Sequence, residues 1–355
     1  MRIKNLQMVN FRNHKRAEFN FGQKTVITGD NGSGKSNILE AVYLMATGRS
    51  FRADSDLEMI SYGEQLSVIS CQLSVGGEVT SLQVSLTDGS LIARKKFNVN
   101  GVPRRMMDFA GKLKAVLFGP ADMLLVTGSP AVRRRYLDFV MTQQDREYWR
   151  NLISYEKGLR QRNKLLDLIR DGKAGRTQLY FWDRLLIKNG TYITGKRADY
   201  LSSLNVQSSM SNPSTSLRMN VQYDKSVISE IRLKQYETQE TAAGTTLVGP
   251  HRDDFTLEME KRDVSKYGSR GEQRMAVLWL KMGELKYLTV EEQLPVLLLD
   301  DVFSELDHEH RAEILTLAVE HSDRGGQVIM SASDPHLTPS GRDWERIFLG
   351  EMQDK

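Results

Sequence analysis

The chain has 355 residues, 40% hydrophobic and 26% charged, enough for two or three domains with real cores and too apolar for wholesale disorder. It has no apolar run of the length, about 18 residues, that a membrane helix needs, and its start, Met1-Arg2-Ile3-Lys4-Asn5, lacks a signal-peptide core. A net charge of +4 names no partner, and the single cysteine, Cys71, cannot close a disulfide within the chain, so a cytoplasmic protein is expected.

In chain order, residues 3–9 alternate and predict a strand, and the short β-branched stretch 24–28 predicts another. Next comes Gly29-Asp30-Asn31-Gly32-Ser33-Gly34-Lys35-Ser36, which fits G-x-x-x-x-G-K-[ST] between a strand and a helix. Glycines let such a loop wrap phosphates with backbone N–H groups, and the helix N-terminus adds partial positive charge. Lys35 is then placed for the β and γ phosphates of ATP, Ser36 for Mg2+, and Asn37 continues the nucleotide-binding set. Residues 35–46 read as a helix, with Ile38, Leu39, Val42 and Met45 on one face and Gly48 as its stop. Short alternating segments from 66 to 100, broken at Gly76-Gly77, Asp88-Gly89 and Asn100-Gly101, predict antiparallel hairpins, with Cys71 as a strand residue.

From 130 to 205 the pattern turns helical. Pro130 suits a helix start, and Asp171-Gly172-Lys173-Ala174-Gly175 divides the stretch into two long helices, an antiparallel hairpin. Residues 129–200 hold 16 Lys+Arg against 8 Asp+Glu, so the rest of the chain sums to −4. Such a basic segment is either a polyanion surface or a solvated helical face. Arg133, Arg134, Arg135, Arg160 and Arg162 are the phosphate-contact candidates; for the Arg triplet the alternative is a solvated helix turn.

Residues 206–216 read as a polar loop, and strands are expected near 217–223 and 254–258. His251-Arg252-Asp253-Asp254 is either an internal salt-bridged turn or a contact for DNA or a partner. Gly268-Ser269-Arg270-Gly271-Glu272-Gln273-Arg274 opens a helix predicted over 272–288, a second potential anion site. The buried strand 295–299 ends in Asp300 and Asp301. Acids at the end of a core strand need a cation or a chemical role. Asp300 suits the Mg2+ shell, and Asp301 suits polarising the attacking water. Ser304-Glu305-Leu306-Asp307 follows, with Asp307 as a possible helix N-cap, then a helix over 307–320 and a strand over 327–331.

These segments resemble, in order, the Walker A, signature, Walker B and D-loop (Ser304, Asp307) of the ATP-binding cassette. A helical insertion between the first two resembles the chromosome-maintenance and repair branch. Asn10-Phe11-Arg12-Asn13, Phe118-Gly119-Pro120-Ala121-Asp122, Arg133-Arg134-Arg135-Tyr136-Leu137-Asp138, Gln161-Arg162-Asn163 and Gly249-Pro250-His251-Arg252-Asp253-Asp254 are similar to the RecF family along nearly the whole chain. The sequence departs from most cassettes in having Asp301 where they have Glu, which the RecF family shares and which suits a slow ATPase. It also has Ser331-Ala332-Ser333-Asp334 where they have a switch histidine, leaving a serine or Asp334 as substitute sensor; Gln143 and Gln144 are Q-loop candidates by position alone.

The expected architecture is α/β, an ABC-type split ATPase head with a helical-hairpin arm: lobe 1–128, arm 129–205 and C-terminal segment 206–355. The resemblance implies a slow DNA-dependent ATPase that closes as an ATP-dependent homodimer. Ser269, Arg270, Gly271 and Glu272 would then act in trans on ATP held by Lys35 of a second copy. It further implies binding to single-stranded, gapped or junction DNA, cooperation with RecR and RecO, recombinational repair and a link to the SOS response. A transporter ATPase subunit would lack the basic arm and need a membrane partner. A chromosome-organising ATPase would carry far longer heptad repeats, and a P-loop kinase would lack the signature and D-loop.

Overall fold

A computed structural model describes residues 1–89, 94–210, 219–303, 308–334, 338–339, 341 and 343–350. It forms two compact units, Met1–Asp122 with Glu284–Lys355, and Met123–Gly283. The first opens with β1 (Arg2–Phe11), β2 (His14–Asn20), β3 (Lys24–Gly29), α1 (Lys35–Thr47), β4 (Leu66–Val75), β5 (Glu78–Thr87), β6 (Arg94–Val99), β7 (Val102–Arg104), the single turn α2 (Met106–Phe109) and β8 (Ala115–Phe118). The second holds α3 (Leu124–Thr127), α4 (Pro130–Gln144), α5 (Arg146–Arg170), α6 (Tyr180–Met210), β9 (Met219–Asp224), α7 (Glu230–Gln235), α8 (Glu237–Ala243), β10 (Asp254–Met259), β11 (Arg262–Asp263), α9 (Val264–Tyr267) and most of α10 (Arg270–Leu288). The chain then returns to the first unit with β12 (Val296–Asp300), α11 (His308–Asp323), β13 (Val328–Ala332) and β14 (Glu345–Leu349).

In the first unit, a six-stranded antiparallel sheet has the order β2-β1-β4-β5-β6-β7, and a five-stranded sheet has the order β14-β3-β13-β12-β8. Every pairing in the five-stranded sheet is parallel. Parallel strands are covered on both faces and read as unbroken apolar runs; accordingly all of β12 is buried. β3 and β8 come from the first part of the chain and β12, β13 and β14 from the last, so both ends build one sheet, as expected for a split head. Ligands of open parallel sheets sit at the carboxyl ends of the strands. Here β3 and β12 flank β13, which brings Gly29, Asp300 and Ser331 to one edge.

The hairpins follow their turn residues. Gly76-Gly77 joins β4 to β5, and Asn100-Gly101, both at positive φ, joins β6 to β7. Cys71 is buried on β4, where burial pushes its thiol pKa up to about 12, as suits a core residue.

In the second unit α5 and α6 pack as the expected hairpin; a Cβ on Gly158 would come within 2.5 Å of Leu185, so glycine sets how closely they approach. α6 continues to Met210, past the start of the polar loop expected at 206–216, because no helix breaker comes before Pro213. The unit also extends well beyond residue 205. β9, β10 and β11 form a sheet within it, and Asn205 ties α6 to β9 by exchanging two hydrogen bonds with the Val221 backbone (3.0 and 2.8 Å). Among the described residues, no helix is long and apolar enough to cross a membrane.

Candidate functional site

The loop from Gly29 to Gly34 joins β3 to α1 as the sequence predicts. Gly34 has φ +101, and a Cβ there would lie 2.5 Å from His14 Nε2, so only glycine fits. α1 starts without a side-chain cap and without an acid in its first turn. Its leading N–H groups are thus left to an anion. Lys35, 6% exposed, donates Nζ to the carbonyls of Gly29 (2.6 Å) and Asp30 (2.8 Å). Burial lowers its pKa, opposed by the nearby carboxylates of Asp301, Asp30 and Asp300. Ser33 Oγ is buried without a hydrogen-bond partner among the described residues, a polar atom that a phosphate oxygen would satisfy.

At the end of β12, Asp300 Oδ1 accepts from Ser36 Oγ (2.7 Å) and from Ser331 Oγ (2.8 Å). Asp301 follows at φ +47, the left-handed region that non-glycine residues seldom adopt. Its carboxylate accepts from the backbone N–H and the hydroxyl of Ser333, both at 3.1 Å. The two acids therefore differ: Asp300 bonds Ser36 at the start of α1, and Asp301, near enough to Lys35 to act on its charge, is held by Ser333.

A second ring of residues shapes the loop. Asn13 Nδ2 donates to Gly32 O (3.1 Å), His14 Nε2 meets Gly34 O (3.2 Å), and Asn37 Nδ2 donates to Asn13 Oδ1 (2.6 Å). Glu40, fully buried on α1, is held by Arg12 (2.6 Å), Arg52 (3.0 Å) and Ser50 (2.5 Å). Arg52 also bonds Asn37. Arg12 and Asn13 carried a signal in the Asn10–Asn13 string. Ser333 stands in the Ser331–Asp334 run read as holding a substitute sensor, whereas Glu40 and Arg52 carried no signal, because an acid in a helix or an arginine in a loop looks ordinary until its partners are known.

Ser269, Arg270, Gly271 and Glu272 lie in the second unit at the start of α10. Ser269 N donates to Glu272 Oε2 (2.7 Å) and Glu272 N donates to Ser269 Oγ (3.3 Å), a reciprocal capping box. Those bonds hold the Glu272 carboxyl below its usual pKa. Ser269 and Arg270 are exposed. Gln143 and Gln144 end α4 in this same unit. Ser304 and Asp307 lie outside the described residues.

The phosphate-contact candidates divide sharply. Arg162 is 1% exposed and bonds Asp183 (2.7 Å), Thr246 (2.8 Å) and Glu240 (2.7 Å). Arg133 forms a bidentate pair with Asp254 (2.6 and 2.9 Å), and Arg134 donates to Asp253 O (2.9 Å). Buried charges survive only when paired in this way, so Arg162 is placed as a core ion-pair residue, while Arg133 and Arg134, half-buried, each hold an internal bond. In the His251–Asp254 segment Tyr155 OH meets His251 Nδ1 (2.8 Å), and Asp253, fully buried, accepts from Arg197 (3.1 Å) and Ser226 N (2.7 Å), while Arg252 is exposed.

Arg135 and Arg160 do reach the surface. Arg160 belongs to a stripe missed in the sequence, Arg150, Lys157, Arg160 and Lys164, all exposed along α5. The steps of seven, three and four residues keep one helical face, and among the described residues none of the four has an ion-pair partner.

Over residues 2–353 the chain matches the model of the RecF/RecN/SMC N terminal domain. It is 35% identical over 358 residues to the DNA replication and repair protein RecF of Moorella thermoacetica, covering 99% of this chain and 94% of that protein. A solved structure of the recombination mediator protein RecF with ATP, in the RecFOR pathway, superposes with a TM-score of 0.86 at 30% identity, covering 95% of this chain and 93% of that one. An Smc head domain from Pyrococcus furiosus shares the fold, with a TM-score of 0.54 at 16% identity over 94% of this chain and 90% of that one.

Proposed function

The chain belongs to the RecF family of DNA replication and repair proteins, ABC-type ATPases, and from that premise we propose that it is an ATP-closed clamp on gapped DNA. The observation that carries this reading is the meeting of Lys35, Ser36, Asp300 and Asp301 at one edge of the parallel sheet. The phosphate loop and the free N-terminus of α1 bind the ATP phosphates, and Lys35 moves from its carbonyl partners to the β and γ oxygens.

Ser36 Oγ and Asp300 offer hard oxygen donors, and among the described residues no cluster of three or more His, Cys, Asp or Glu could cage a metal. That donor set fits Mg2+, which is held by few carboxylates together with waters and substrate phosphates. Ser36 and Asp300 would hold Mg2+, which would supply Lewis-acid neutralisation of the charge developing on the phosphates. Asp301 orients a water for attack on the γ-phosphorus. The new P–O bond forms as the bond to the β–γ bridging oxygen breaks, giving ADP and phosphate, and the water's proton passes to the Asp301 carboxylate.

Two copies pair around ATP, with Ser269 and the α10 N-terminus of one reaching the γ-phosphate held by the other. Loss of that phosphate removes the contacts that favour the closed state. Recombinational repair with RecR and RecO, and the SOS link, follow from the family. DNA lies along the α5 stripe, held through its phosphates, with little sequence preference and strong salt dependence.

The stripe tests the DNA part of this reading. Lys157→Glu combined with Arg160→Glu should weaken DNA affinity at least tenfold near 0.1 M salt. The slope of log K against log salt should become shallower by about 2, one unit for each phosphate no longer neutralised. Thermal unfolding should not change, since both side chains are exposed and outside any ion pair. An unaltered slope would remove α5 from the DNA surface.

A further inference from the structure

Neither the end of β13 nor the two residues after it carry a histidine: Ser331 and Ala332 close the strand and Ser333 and Asp334 follow it, while His336 lies outside the described residues. Two of these serines are already engaged with the acid pair. Ser331 Oγ donates to Asp300 Oδ1 at 2.8 Å and accepts the N–H of Asp301 at 3.0 Å. The same N–H lies 3.2 Å from the Ser331 carbonyl. This double hold anchors Asp301 in its left-handed conformation, φ +47, which sterics otherwise disfavour. Ser333 then meets the carboxylate itself, its N–H bonding Oδ1 and its hydroxyl bonding Oδ2, each at 3.1 Å.

We propose that Ser333 is the positioning residue for Asp301, gripping both carboxylate oxygens so that their other lone pairs face the attacking water. The inference rests on reading the chain as an ATPase in which Asp301 acts on that water. Its physical basis is the freedom of an aspartate: the terminal carboxylate torsion is broad and roughly two-fold, so an ungripped Asp301 samples many orientations. A carboxylate has about four acceptor positions, and the two Ser333 donors fix which of them can turn toward the water. Aspartate is one methylene shorter than glutamate and cannot follow a water by flexing its own chain. The orientation must come from a neighbour, and Ser333 supplies it from just past the end of β13. The grip does not titrate, since a serine hydroxyl stays neutral across the range in which an imidazole would change charge.

The test is single-turnover and steady-state ATP hydrolysis by the full chain carrying Ser333→Ala, Ser333→Thr, Asp301→Asn, or Ser333→Ala with Asp301→Asn. Ser333→Ala keeps the backbone donor and loses the hydroxyl, so the rate should fall about ten- to hundredfold with KM for ATP unchanged. Ser333→Thr, which keeps a hydroxyl, should restore most of the rate and shows that position 333 tolerates substitution. In the Asp301→Asn background, Ser333→Ala should add nothing, because the two side chains act as one unit. Wild-type turnover in Ser333→Ala, beside a slow Asp301→Asn, would overturn the proposal. Equal slowing in both backgrounds would overturn it too, since the serine would then be acting on the fold and not on Asp301. Wild-type turnover in Asp301→Asn would instead refute the assignment of Asp301 and with it the reading on which the inference stands.

Discussion

Lys35→Met is expected to lower ATP hydrolysis by at least about 10²–10³-fold and to abolish ATP-driven pairing of the chain, because it removes the phosphate-loop ammonium assigned to the phosphates. Methionine has nearly the length of lysine and no charge, so it leaves no unpaired ion in the buried loop. The carbonyls of Gly29 and Asp30 lose a donor. The larger consequence concerns the equilibrium between open and closed copies. A ligand shifts such an equilibrium only by its differential affinity for the two states. The γ-phosphate is the group that the closed state contacts from both copies, and Lys35 is the residue that fixes its position. Equilibrium ATP binding and light scattering on the variant check this directly. Pairing that proceeds normally with ATP would show that the closed state does not depend on this phosphate contact.

Asp301→Asn should separate binding from chemistry. The substitution keeps the side-chain volume and removes the charge that polarises water, so turnover should fall by about 10²–10⁴-fold, the usual weight of a general base. ATP affinity should be retained, since Lys35, Ser36 and Asp300 are untouched, and the ATP-bound pair should accumulate because its exit step is slowed. The signature of this outcome is a lowered kcat with KM for ATP no higher than in the wild type. Unchanged turnover would show that another group orients the water.

Much of this site was legible in the sequence because its chemistry is local. A phosphate loop needs its glycines, lysine and serine within one strand-turn-helix segment, and Gly29 to Ser36 has them contiguously. An apolar strand ending in two acids is equally visible, and β12 lies where it was expected. What escaped depended on partners far along the chain. Arg133, Arg134 and Arg162 looked like a basic face because charge can be counted from sequence. Their carboxylates at Asp254, Asp183 and Glu240, and the carbonyl of Asp253, lie 21 to 121 positions away. The arginines that find those acids are withdrawn from solvent, and the stripe from Arg150 to Lys164 is what the fold leaves outside. Glu40 was missed for the same reason, since an acid does not signal its role until Arg12 and Arg52 are brought beside it; Ser333 was in view as one of the residues standing where a switch histidine is usual, but its bond to Asp301 was not. The extent of the helical segment escaped for a related reason. The sequence marks the breakers around residues 171–175, but that β9 joins the unit of α6 follows only from the pairing of Asn205 with Val221.

If ATP closes two copies of this chain around DNA, molar mass in solution must change with nucleotide. Light scattering would be recorded without nucleotide, with ATP and with ADP, each with and without a gapped duplex. The expected result is a mass near the 40.4 kDa of a single chain without nucleotide or with ADP, a doubling with ATP, and one DNA joined to the doubled species. A chain that binds ATP yet keeps the mass of one copy, with DNA present, would contradict it and would require a different role for Ser269.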